Sequence, residues 1–92
     1  MPFYEWFNKL DKSVRTNILK RLDRLEEGNY GDCKRIDADV YELRFTIGAG
    51  YRVYFTEKDD VIVMLLLGGD KSTQSNDIAK AKEYAQKSKG KI

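Results

Sequence analysis

Arg44 and Arg52 lie in the segment "YELRFTIGAGYRVYF" (41–55), where apolar and polar residues alternate. An alternation of period two marks a strand with one buried face, so the pattern predicts a β-hairpin whose other face carries Glu42, Arg44, Thr46, Arg52 and Tyr54. Further along, "LLLGGDKSTQSND" places Asp70, Lys71, Ser72, Gln74 and Asp77 after two glycines, a pairing that lets backbone approach a ligand closely. Two guanidiniums, an ammonium and a phenol around one hollow suit a phosphate clamp, because arginine binds phosphate oxygens in fork geometry and tyrosine stacks on a base. The chemistry suggested is the binding of single-stranded RNA. A plain solvated sheet face carries the same mixture of Thr, Arg and Glu, and the glycine loop is what favours a site.

Other chemistries find little support. The chain has no histidine, which removes Ser-His and Cys-His catalysis and the usual zinc sites. "GAGYR" joins two strands and opens no helix, so it is not a phosphate loop or a dinucleotide fingerprint. Asp59 with Asp60, or Asp70 with Asp77, offers paired carboxylates for magnesium, but both pairs read as turn and cap residues. No metal or other cofactor is expected.

The elements that must position these residues fit one small domain spanning residues 1–92, with 41% apolar residues to fill a modest core. Seventeen Lys and Arg against fifteen Asp and Glu leave a net charge of +2, so attraction for a polyanion must come from arrangement. Cys33, the one cysteine, excludes an internal disulfide, suits a reducing cytoplasm and reads as a small buried residue. The longest apolar run, Val61 to Leu67, is far short of the roughly 20 residues of a membrane span, and no signal sequence is evident. A soluble cytoplasmic protein is expected.

Phe3, Trp6, Phe7 and Leu10 recur at helical spacing after Pro2, predicting a helix over Pro2 to Leu10. A second helix, capped by Asp11 or Ser13, carries the stripe Val14, Ile18, Leu22 and Leu25 and stops at Gly28. Its basic residues read as surface. Strands follow at Cys33 to Ile36, Tyr41 to Ile47, Tyr51 to Glu57 and Val61 to Leu67, with a turn at Asp37 to Asp39. The short links "GAG" and "KDD" demand antiparallel neighbours. "VIVMLLL" does not alternate, which suggests a strand covered on both faces. A last helix runs from about Ser75 to Lys87, with Ile78, Ala81, Tyr84 and Ala85 as its apolar stripe. If "GAG" is a three-residue loop, Arg44 faces Tyr54 and Thr46 faces Arg52; a two-residue shift would oppose the two arginines, which like-charge repulsion disfavours. The sheet is expected to be one-sided, its apolar face closed by the N-terminal helices.

The motifs "EGNYGDCKRI", "YELRFTIGAGYRVYF" and "GGDKSTQSNDIAKAKEY", in this order, closely resemble the phage-derived, HigB-like addiction-module killer proteins of the RelE/ParE toxin superfamily, from about Phe3 to Ala85. The resemblance implies an α+β fold: two N-terminal helices on an antiparallel meander of three or four strands, with a C-terminal helix. It implies a toxin paired with an antitoxin that often has a helix-turn-helix domain. RelE-like members cleave messenger RNA on the ribosome without a metal, through attack of a ribose 2′-hydroxyl on its adjacent phosphodiester. Carried over by position, Arg52 matches the superfamily's phosphate-stabilising arginine, Arg44 a commonly basic strand position and Lys71 a cation after the last strand.

Tyr54 joins these three as a catalytic candidate, with Thr46, Asp70, Gln74 and Asp77 as substrate-binding candidates. Where RelE-like enzymes often carry a C-terminal tyrosine or histidine, this chain has Ile78, and Glu42 stands where some have lysine. Tyr54 or Asp70 is left as a proton donor. Members usually have a strand before the Pro-Phe helix, whereas this sequence begins at that helix; either the start is short, or the fold lacks that strand and leaves a sheet edge open to an antitoxin segment, to a second copy in a homodimer or to aggregation. The alternatives are a ParE-like inhibitor of DNA gyrase and a catalytically inactive homologue that only binds antitoxin.

Overall fold

The computed structural model describes residues 2–58 and 61–89. Its elements are α1 (Pro2–Phe7), α2 (Lys12–Glu26), β1 (Cys33–Asp37), β2 (Val40–Arg44), β3 (Arg52–Lys58), β4 (Val61–Gly69), one 3-10 turn (Lys71–Thr73) and α3 (Gln74–Lys89). The strands form an antiparallel meander in the order β1-β2-β3-β4. This α+β arrangement, with two helices before the sheet and one after it, is the one read from the sequence and is compatible with a RelE-like fold. The tight turn expected through Asp59 and Asp60 lies outside the described residues.

The i, i+4 stripe of α2 turns Ile18, Leu22 and Leu25 inward, where they meet Phe3 and Phe7 of α1 and the sheet residues Leu43, Phe45, Val53 and Phe55. Gly28, at φ 89°, ends the helix as expected: its amide bonds the Leu25 carbonyl and that of Asn29 the Arg24 carbonyl. At the other end Asp11 makes no side-chain capping bond. α1 is shorter than its periodicity suggests, because the Lys9 and Leu10 amides bond only three residues back, to Trp6 and Phe7, and turn the chain toward α2.

The sheet is not one-sided. The small residues Ala81 and Ala85 let α3 lie close on the second face, over Val40, Tyr54, Leu66 and Leu67, with Ile78 and Tyr84 beside them. Tyr54 pairs with Leu67 but Phe55 pairs with Leu65, so Leu66 is the extra residue of a bulge. Leu66 and Leu67 therefore both join the cluster under α3 while Leu65 packs in the opposite one, which accounts for the lack of alternation from Leu65 to Leu67.

β2 ends at Arg44, not Ile47, and the connection to β3 is longer than "GAG". Gly48 and Gly50 adopt φ 54° and 74°, a left-handed backbone that suits glycine, and the Gly50 amide closes a turn on the Ile47 carbonyl. The resulting register sets Glu42 opposite Tyr54 and Arg44 opposite Arg52. The arrangement that repulsion was expected to disfavour is the one adopted, and its cause lies in the site itself. Among the described residues no helix is long and apolar enough to cross a membrane.

Candidate anion site at the sheet end

Glu42 is fully buried between the sheet and α3, and side chains from three elements converge on it. Arg44, two residues on along β2, donates its Nε to Oε1 at 2.9 Å. On Oε2, Tyr54 of β3 donates its hydroxyl at 2.9 Å and Gln74 at the start of α3 donates its amide at 3.0 Å. The Arg52 Nε stands 3.6 Å from the same oxygen, in ion-pair range. One carboxylate thus lies against both guanidiniums, and its attraction to each offsets their mutual repulsion across the ladder. Burial pushes the Glu42 pKa up, but the bonds from Arg44, Gln74 and Tyr54 outweigh burial and hold it below the usual carboxylate range.

The two arginines differ in access. The Arg44 side chain is 34% exposed, that of Arg52 only 14%. Arg52 also donates Nη1 to the Gly50 carbonyl at 2.8 Å. Neither is a bare exposed sheet residue. Two positive charges flank this carboxylate, while Asp32 also acts on Arg44 and Asp70 also feels Arg52. Lys71 adds a third cation: it is exposed, its amide bonds the Ala49 carbonyl at 3.3 Å, and its Cβ and the Arg52 Nη1 flank Gly50.

The remaining candidates take other places. Tyr54 is fully buried, and burial followed by the neighbouring Glu42 charge pushes its hydroxyl far above the usual tyrosine pKa. It braces Glu42 and has no open path to a substrate. Gln74 is likewise turned to Glu42. Asp70 caps the 3-10 turn, accepting from the Ser72 amide at 2.8 Å and from the Ser72 hydroxyl, and those bonds hold its pKa below the usual range. Asp77 accepts from the Thr73 hydroxyl and is buried. Thr46 is exposed in the loop after β2.

The paired glycines serve the fold's own side chains. A Cβ at Gly68 would overlap the Trp6 indole, and one at Gly69 would overlap the Asp77 carboxylate and the Thr73 hydroxyl. No group of three or more His, Cys, Asp or Glu among the described residues could hold a metal ion. Burial pushes the Cys33 thiol up to about 11, consistent with an unreactive packed sulfur.

A family model described as phage derived protein Gp49-like (DUF891) matches residues 5–89. The chain belongs to this Gp49-like family. It is 45% identical over 87 residues to an uncharacterized protein of Haemophilus influenzae, an alignment covering 94% of this chain and 88% of that protein. No solved structure matches it.

In this Gp49-like protein the residue that sequence reasoning undervalued is Glu42. Its signal was present as Glu-x-Arg on one strand face, with Arg52 and Tyr54 on the facing strand. Arg21 left no such signal. From α2 it donates Nη1 to the Arg44 carbonyl at 2.9 Å and lies 4.9 Å from the centre of the Phe45 ring, fixing the end of β2 from the opposite side of the sheet.

Proposed function

We propose that this Gp49-like protein is the toxin of a type II toxin–antitoxin module and a metal-independent endoribonuclease that cuts messenger RNA on the ribosome. The observation that carries this reading is the convergence of Arg44 and Arg52, which face each other around one buried carboxylate, beside exposed Lys71. The motif resemblance to HigB-like members of the RelE/ParE superfamily and membership of a phage-derived family support it.

In the proposed reaction a ribose 2′-oxygen bonds to the adjacent phosphorus as its proton passes to solvent. The P–O5′ bond then breaks as the departing oxygen takes a proton from water. Negative charge peaks on the five-coordinate phosphorus between these events, and fixed cations stabilise that state more than the ground state. Solvent is given the proton transfers because Tyr54 is buried and bonded to Glu42, while Asp70 is held ionised by Ser72. An acidic segment of a helix-turn-helix antitoxin laid over the same cations would neutralise them and block RNA.

The test is to map transcript ends in a translating extract supplied with wild-type protein or with Arg52→Ala. New ends within coding regions with the wild type, and about 100-fold fewer with the variant, are expected. Intact transcripts in the extract from a protein that arrests growth when expressed would overturn the reading, and gyrase-dependent DNA breaks in the arrested cells would point to a ParE-like toxin.

A further inference from the structure

Resting on that reading, the structure assigns a function to a residue outside the cation set. We propose that Glu42 is a positioning residue: its buried carboxylate bonds the Nε edge of Arg44 and draws the Arg52 guanidinium in by charge, so that terminal nitrogens of both stay available to a phosphodiester.

The atoms support this division of labour. Glu42 accepts a hydrogen bond from the Arg44 Nε at 2.9 Å and stands in ion-pair range of the Arg52 Nε at 3.6 Å, where that buried nitrogen makes no hydrogen bond. Among the described residues, both Arg44 Nη atoms and the Arg52 Nη2 have no hydrogen-bond partner, while Arg52 Nη1 is anchored on Gly50. Arginine binds phosphate through such terminal nitrogens in fork geometry, so a carboxylate on the inner edge does not consume the outer one. The carboxylate is itself fixed by Tyr54 and Gln74, from β3 and the start of α3. Held on both oxygens in a fully buried position, it has little freedom to follow a moving guanidinium. A clamp for a transition state needs this rigidity, because donors that reorganise during the reaction lose much of their effect.

Glu42→Gln keeps the shape of the side chain and removes its charge, and three measurements separate positioning from folding. First, the arginine Nε–H resonances of wild-type protein are followed by NMR: that of Arg44 should be shifted and protected from exchange, and Glu42→Gln should return it toward the solvent-exposed range while most amide resonances stay in place. Second, Glu42→Gln should lower transcript cleavage about 10- to 100-fold. Third, in a background of Arg44→Ala with Arg52→Ala it should lower residual cleavage no further, because it acts only through those side chains.

Glu42→Asp, which keeps the charge on a shorter stem, should recover part of the Nε–H protection. Unchanged Nε–H resonances in Glu42→Gln would overturn the positioning role, and so would an equal loss of cleavage in the arginine-free background. If the wild type leaves RNA intact but its Nε–H protection depends on Glu42, the ribonuclease reading fails and the positioning role stands.

Discussion

Gly68→Ala is the substitution that decides what the glycine pair at the end of β4 is for. Gly68 faces Val53 on the side of the sheet covered by α1, and an added Cβ would overlap three ring carbons of Trp6. The indole cannot simply step aside, since it lies between Phe3 at 5.9 Å and Tyr51 at 6.3 Å, and Phe3 is 1% exposed in the core. Overpacking of this kind costs about 1–3 kcal/mol, and the boxed ring places this case near about 3. For a domain of this size that corresponds to a melting temperature lower by roughly 10–20 °C.

Trp6 is the sole tryptophan, so its emission reports on the displaced ring without interference and should shift to the red. Gly28→Ala serves as the control: no atom lies within 4 Å of its added Cβ, and φ 89° alone should cost about 1 kcal/mol with emission unchanged. A Gly68→Ala protein that melts within about 3 °C of wild type with unaltered emission would refute the packing account and return the glycines to a ligand.

Arg52→Ala should lower stability by about 1–2 kcal/mol in urea titrations, because it removes the bond to Gly50 and one counter-charge of buried Glu42, yet lower transcript cleavage far more. Tyr54→Phe should cost about 1–2 kcal/mol by the same titration, since it takes one hydrogen bond from a buried carboxylate, and should leave cleavage above that of Arg52→Ala. The depressed pKa of Glu42 makes its contribution to stability full at neutral pH and progressively lost as pH falls below 4.5 through the folded-state value, because the unfolded chain takes up that proton first. Denaturant midpoints measured from pH 6 to pH 3 should therefore fall less steeply for Glu42→Gln than for wild type.

Element types were legible because they rest on local periodicity. The α2 stripe, the Gly28 stop, the meander and the C-terminal helix all follow from residue spacing and turn chemistry. Two things were not legible. The cover of α3 over the second face depends on Ala81 and Ala85, whose small side chains mark a close approach only when the opposing surface is known. The hairpin register depends on how far the loop around Gly48 and Gly50 extends, and on a counter-charge that pairwise repulsion between arginines leaves out. Of the candidate site, Arg44, Arg52 and Lys71 were found by type and spacing. Tyr54 and Gln74 were also found, but their bonds turn inward to Glu42.

The position of Glu42 changes how charge at this site should be counted. On a simple count of charge, a lysine there would strengthen a phosphate clamp, because it adds a cation to the face. In this fold the position is fully buried, beside two guanidiniums and a tyrosine hydroxyl, and a third cation would be desolvated in place of the carboxylate that now opposes the other two. The carboxylate lowers the total positive charge by one, but it lets two arginines occupy directly opposed strand positions. Close spacing of two held cations does more for a phosphodiester than a larger number that repel one another apart, since attraction falls with distance and with every solvent molecule between.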